Sequence, residues 1–352
     1  VDECLEPKIS RILVTNLANS WLLAAIRNEN TEHFTSQFIS SRINQRILEF
    51  PNHPEQVNMA EKLEFSGERF TPECEREISY EHIHRYAFAA LWCKDARVLD
   101  AACGEGYGSA LLAQSATSVT GVDISAEAVQ HAAQRYTEQE SLDFRVADCT
   151  QLPFDSDQFD MVVSFETLEH LKQQEAMISE FRRVLNPEGF LILSSPDKAV
   201  YSEQRGFVNE FHVRELYREE LEKLIAVEFP VCRLLGQKLM FHSAIWSLED
   251  IGRVGLQSSN SKGEIIAGRI GHAPMYFIAL CAQRDECLPR MSEQLWLFDD
   301  DSESVYRHYY HEIRKNMAAG GILADRDAEL ESLKQRLEGQ RKPWWRRLLG
   351  RA

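Results

Sequence analysis

Between residues 97 and 194, short apolar runs, each stopped by a polar or small residue, alternate with longer amphipathic stretches. Runs near 97–101, 118–123, 143–147, 159–165 and 189–194 predict buried strands. A leading helix is expected over Ser79 to Cys93, another helix near 213–228, and further apolar segments near 231–241 and 275–283. Strands that alternate with helices in this way predict an α/β fold: a doubly wound, mostly parallel sheet of seven strands with helices on both faces. Any ligand should lie outside the carboxyl ends of the first strands.

One stretch carries chemistry. Val98 to Gly108 reads VLDAACGEGYG, a strand that ends in an acid and breaks into small residues before a helix starting near Ser109. Gly104, Gly106 and Gly108 allow a tight turn and close approach to a ligand. A dinucleotide site places pyrophosphate at the helix N-terminus. Asp100 at the strand end would repel that group, and suits instead a cofactor bearing an amino group and a sulfonium, S-adenosylmethionine.

Later strand ends repeat the pattern. SVTGVD ends at Asp123, roughly 20 residues on, where an acid can accept from both ribose hydroxyls. Ser125 is the natural cap of the next helix, which leaves Asp123 free for the ribose. LDFRVADC runs into Asp148, suited to the adenine amine or to a plain turn, with Cys149 beside the ring. Asp100 itself has two readings, cofactor contact or a cap for the following helix. Cofactor contacts are thus expected from Asp100, Ala102, Gly104, Gly106, Asp123, Ile124, Asp148, Cys149 and Phe165. Arg69, Tyr80 and Tyr86 are candidates to close over the methionine end, against a plain packing role.

With FDMVVSFETLEHL and RRVLNPEGFLILSSP, these stretches resemble the class I S-adenosylmethionine-dependent methyltransferases, over roughly residues 65 to 284. The resemblance implies that the final strand is antiparallel. Ala102 departs from it, standing where the family's loop has its first glycine; tighter packing rather than lost binding is expected there. GERFTPE, YEHIHRYAFA and NEFHVREL are similar to bacterial methyltransferases found among surface-polysaccharide genes.

Methyl transfer is an in-line attack on a sulfonium methyl, so the protein must position a nucleophile and remove its proton. In FETLEHL, a helical turn would place Glu166, Glu169 and His170 on one face, and His212 follows the next strand. Two carboxylates and two imidazoles suit a divalent metal such as Mg or Mn, held by Glu166, Glu169, His170 and His212. The ExxEH stretch is similar to that of ubiquinone-pathway O-methyltransferases and of small-RNA 3′-terminal 2′-O-methyltransferases, and in the latter the matching residues hold a metal against neighbouring hydroxyls. Without a metal, His170 or His212 is the general base and Glu166 assists. His170 could also only pack against the cofactor.

Composition narrows the partners. A net charge of −16 argues against indiscriminate nucleic-acid binding, and favours a neutral or locally recognised acceptor, a glycan or a small molecule. Eight scattered cysteines without a CxxC pair argue against a disulfide framework or zinc cluster, and point to a reducing cytoplasm. Ile12 to Ile26 is interrupted by Asn16, Asn19 and Ser20, so it reads as neither a span nor a secretory signal.

Three regions are expected: 1–58, an upstream extension ahead of Met59 or an accessory helical segment; 59–284, the methyltransferase domain; and 285–352, a helical extension. Leu330, Leu333 and Leu337 could form a short coiled-coil seam joining a homo-oligomer. The basic end RKPWWRRLLGRA, over 341–352, suits peripheral contact with the inner face of an anionic membrane, or is a soluble frayed end. The functional expectation is O-methylation of a sugar hydroxyl on a surface-glycan or lipid-linked precursor. One alternative is a small phenol or quinol, which needs an apolar pocket lined from 231 to 275. Another is a non-catalytic module that binds the cofactor and partners glycan-assembly enzymes.

Overall fold

The computed structural model describes residues 77–245, 254–259, 262, 265–268, 270–300 and 303–340. The segment 1–58, Arg69, and the basic end 341–352 lie outside the described residues.

The chain begins its described course in helix α1 (Glu77–Ala90), followed by β1 (Arg97–Ala101), α2 (Tyr107–Ala113), β2 (Ser118–Asp123), α3 (Ala126–Arg135), β3 (Leu142–Val146) and β4 (Phe159–Ser164). Then come α4 (Gln174–Val184), β5 (Leu185–Pro196), α5 (Arg218–Ala226), β6 (Val231–Gln237), the ribbon strands β7 (Gln257–Ser259) and β8 (Ile265–Ala267), β9 (Tyr276–Ala282) and the long α6 (Ser304–Gln340).

Among the described residues the main sheet has seven strands in the order β3-β2-β1-β4-β5-β9-β6. The pairs from β3 across to β5 are parallel, and β9 runs antiparallel to both β5 and β6. This is the doubly wound sheet that the apolar runs predict. Central strands need two apolar faces because helices cover both. Accordingly Val98, Leu99, Val162, Val163, Leu191 and Ile192 are fully buried, whereas LDFRV of the edge strand β3 keeps exposed positions.

Helix α4 shows how the core is filled. Gln174, Met177, Ile178, Phe181 and Val184 are its buried positions, spaced three and four apart on one stripe. Met177, Ile178, Phe181 and Val184 join Leu99, Phe159, Leu191 and Ile225 in one apolar cluster.

Two expected helices differ. The helix expected near 213–228 begins only at Arg218, because Val213 and Arg214 give their N–H groups to the Glu169 carbonyl, at 2.8 and 3.0 Å, instead of to a helical turn. The helical turn expected over Glu166 to His170 is confined to Leu168–His170. Glu166 lies before it in a left-handed conformation, φ 50°, so it leaves the face shared by Glu169 and His170.

Candidate functional site

The carboxyl ends of β1, β2 and β4 frame a cavity of about 420 Å³. Its wall includes Ala102, Gly104, Asp123, Ile124, Asp148, Cys149 and Phe165, and also Glu166, Glu169, His170 and His212. Asp100 and Gly106 are absent from it among the described residues.

Asp100 is taken up inside the fold, and Gly106 by packing. Asp100 points away from the cavity, fully buried, and accepts from the Ser109 hydroxyl at 2.6 Å and the Tyr86 hydroxyl at 3.1 Å. Asp100 thus braces the loop from below and is not part of the cavity lining. Burial lifts its carboxyl from the ordinary 3.8 to about 7, while the two hydrogen bonds pull the other way. Gly106, φ 83°, caps α2; a Cβ there would come within 2.5 Å of the Phe144 ring, so its demand is internal packing. Gly108 is likewise pressed on the Tyr86 ring, which would sit 2.1 Å from a Cβ. Ala102 holds a left-handed φ of 62°, the conformation that a glycine would take without strain.

The sequence leaves Asp123 free for a ribose; in the fold its carboxylate already has backbone partners. Its oxygens accept from the Gly104 N–H and the Ser125 N–H, each at 2.9 Å, while Ser125 caps α3 through Ala128. An ionised carboxylate has about four acceptor positions, so ribose hydroxyls can still be taken up. Asp148 serves its own turn, Oδ1 accepting from the Thr150 N–H and hydroxyl at 2.8 and 2.7 Å. Ile124 is 74% exposed on the cavity wall, an apolar face open to a flat ring. The Cys149 thiol beside it is pushed up to about 12 by burial, so it is neutral packing rather than a nucleophile.

The other end of the cavity is polar and aromatic. Among the described residues, Glu169, His170 and His212 form a group whose ligand atoms all lie within 4.8 Å of one another. Glu166 does not join it: its Oε1 takes the Ser194 hydroxyl at 2.6 Å and faces Arg85 Nη2 at 3.6 Å. The four-residue set expected from the sequence is thus three residues plus a neighbour.

Hydrogen bonding fixes the imidazoles. His170 Nδ1 meets the Phe211 carbonyl at 3.1 Å, and His212 Nδ1 meets Glu215 Oε1 at 2.6 Å. Oxygen acceptors at both Nδ1 atoms place the proton there and leave each Nε2 as the basic atom. The Asn209 amide donates to His212 Nε2 at 2.9 Å, and the Tyr201 ring stacks on that imidazole at 5.2 Å. Glu169 is 1% exposed, and neither of its oxygens has a hydrogen-bond partner among the described residues. Burial raises its carboxyl well above the usual range, and the Glu166 charge adds to that.

Sequence reasoning missed Tyr201, Asn209, Tyr276 and His82 on this wall, and Glu215 behind it. Asn209 and Glu215 each stand three residues from His212, the one signal that could have flagged them. Tyr80 had been a candidate to cover the cofactor. Instead its hydroxyl donates to Asp300 at 2.6 Å and its ring packs on Phe298, beyond the last strand.

A second cavity, of about 350 Å³, lies between α1 and the carboxyl end of β6. Leu235, Met240, Ile270 and Pro274 line it, within the 231–275 stretch singled out in the sequence.

Residues 99–193 match a family model described as a methyltransferase domain. The "Probable S-adenosylmethionine-dependent methyltransferase" of Mycolicibacterium smegmatis is 36% identical over 186 residues, 52% of this chain and 70% of that protein. A Mycobacterium tuberculosis protein of the same description is 36% identical over 166 residues, 46% of this chain and 60% of its own length. Among solved structures, the YcgJ protein of Bacillus subtilis aligns with a TM-score of 0.42 at 16% identity, covering 58% of this chain and all of that one. At 36% identity across 70% of the smegmatis protein, the chain belongs to the S-adenosylmethionine-dependent methyltransferases.

Proposed function

We propose that the chain O-methylates a hydroxyl, that of a sugar on a surface-glycan or lipid-linked precursor. The observation that carries this reading is the buried Glu169 carboxyl, with both oxygens unpartnered among the described residues, beside the Nε2 atoms of His170 and His212. An alcohol is a poor nucleophile until its proton leaves, so a cluster of proton acceptors favours oxygen over an already nucleophilic thiolate. Tyr201 and Tyr276, centroids 5.8 Å apart, offer ring faces to a sugar, and Asn209 and Glu166 offer polar contacts.

When bound, the cofactor supplies an electrophilic methyl group on a sulfonium. Asp123, Ile124 and Asp148 would hold its adenosine end, with Ala102 and Gly104 on the same wall. His212 would receive the hydroxyl proton at Nε2 in place of the Asn209 N–H, and Glu215 keeps the imidazole in the required tautomer. The donor set of one carboxylate and two imidazoles also fits a divalent ion such as Mg or Mn, with Glu169, His170 and His212 as the ligands. Such an ion would lower the pKa of a bound hydroxyl. It would also satisfy the orphaned Glu169 oxygens.

A second reading, methylation of a small phenol or quinol, is favoured by the apolar cavity that includes Leu235 and Met240. The test is incubation with methyl-labelled cofactor and fractionated cell extract. Label in glycan or lipid-linked sugar is expected. Label confined to small aromatics overturns the proposal in favour of the second reading, and cofactor uptake without transfer to any fraction favours a non-catalytic binding module. Undiminished transfer after exhaustive chelation removes the metal from the scheme.

A further inference from the structure

We propose that the cavity between α1 and β6 binds an anionic amphiphile, an apolar chain ending in a phosphate or carboxylate, with the head group at Arg85. As the seat of the acceptor's non-reacting end this rests on the lipid-linked reading above, but the binding itself does not.

The apolar wall is made by Phe88, Leu235, Met240, Ile278 and Trp296. Every charged or titratable side chain on that wall is basic or an imidazole: His84, Arg85, Lys238 and His272. No Asp or Glu lines it among the described residues, in a chain where Asp and Glu number 55 against 39 Lys and Arg. A surface this poor in acids, on a chain this acidic, is complementary to an anion.

Arg85 gives the site its specificity. Its side chain is 1% exposed, and Nε donates to Gln237 Oε1 at 2.7 Å. Gln237 is itself fixed, its amide donating to the Glu81 carbonyl at 2.9 Å. Neither Nη1 nor Nη2 has a hydrogen-bond partner among the described residues. The nearest carboxylate, on Glu166, stays 3.6 Å away and is already taken by Ser194. A guanidinium held at Nε, with Nη1 lacking a hydrogen bond and Nη2 only loosely ion-paired to Glu166, is preorganised for the planar recognition of a carboxylate or phosphate. Burying donors without a hydrogen bond costs free energy, which an anion would recover.

The guanidinium also lies 4.4 Å over the Tyr276 ring. Tyr276 and Glu166 line the cofactor cavity, and Arg85 lines the second one, so this side chain is the partition between them. A head group at Arg85 therefore sits next to the proton-accepting cluster, with its chain running away from it.

The test is calorimetric titration of the full chain, saturated with S-adenosylhomocysteine, using decyl phosphate, decanoate and the uncharged decyl maltoside. At least one anion should bind on the order of tenfold tighter than the maltoside, about the worth of one charge-assisted pair; the tighter of the two identifies the head group. Arg85→Gln and Lys238→Glu should each weaken that binding about tenfold. If the buried Arg85→Gln protein does not take up S-adenosylhomocysteine, the half-exposed Lys238→Glu carries the test. Equal affinity for the maltoside, unchanged anion binding in the folded variants, or loss of anion binding when S-adenosylhomocysteine is present each overturns the proposal. None of these readouts depends on which fraction of an extract accepts the methyl group.

Discussion

Desolvation dominates the Asp100 carboxyl, outweighing the hydrogen bonds from Ser109 and Tyr86, and this has a consequence for stability. Below an ordinary carboxyl pKa of 3.8 the group is protonated in both folded and unfolded chains. Between there and about 7 the unfolded chain ionises while the folded one holds its proton, so stability falls as pH rises through that window. Above it the penalty is constant, at most about 4 kcal/mol. Asp100→Asn cannot ionise. Its stability relative to wild type should therefore climb with pH across that window and level off above it, as read by urea unfolding at each pH. A constant difference would show that the native carboxyl ionises normally. The motif announced Asp100 as a functional acid; the strand register, which turns it toward α1 and α2, is not written in the spacing of VLDAACGEGYG. Asp123 and Asp148 were legible as cavity residues because one ends a strand and the other follows two residues after one, but their backbone partners depend on turns that only the folded chain defines.

Elements bring His170 and His212 together, 42 residues apart in the chain, and one side chain clamps the elements. Gln174 opens α4, fully buried, and its amide donates to the carbonyls of Leu168 and Arg214 at 2.8 and 2.9 Å. The Glu169 carbonyl completes the junction by accepting from Val213 and Arg214. The turn carrying Glu169 and His170 is thereby fixed to the loop carrying His212. Gln174→Met keeps the volume and removes the amide from the Arg214 carbonyl and from the Leu168 carbonyl, which retains the Leu171 N–H, at a cost of about 1–3 kcal/mol. Methyl transfer should fall by about tenfold or more at unchanged cofactor affinity, because Gln174 braces the turn and loop that carry Glu169, His170 and His212. Equal losses in both would mark it as general scaffolding. The strands were readable because burial on two faces demands unbroken apolar runs. The loop at 213–217 was not, since its apolar and basic residues fit a helix until a distant carbonyl claims their N–H groups.

At the scale of the molecule, the buried side chains gather around the seven-stranded sheet, and α6 stands apart from that core. Val305 is buried and the Tyr309 ring meets Phe241 at 5.0 Å, but from Ile313 onward every side chain described in α6 is exposed. Among these are Ile313, Met317, Leu330, Leu333 and Leu337. The sequence showed the apolar spacing of the last three leucines; whether a neighbour covers them is a property of an assembly, which no single chain encodes by itself. No helix among the described residues is long and apolar enough to cross a membrane, so these positions are not a span. Stability that comes from burial should then be indifferent to removing residues 313–352. A chain ending at Glu312 is expected to unfold within about 1 kcal/mol of the full one, a shift of only about 2–4 °C, and to keep its affinity for S-adenosylhomocysteine. If Leu330, Leu333 and Leu337 join two copies, the same truncation converts a dimer into a monomer by light scattering while the cofactor site survives. Loss of cofactor affinity on truncation would instead place part of the working core in α6, and the division between sheet and helix drawn from burial would fail.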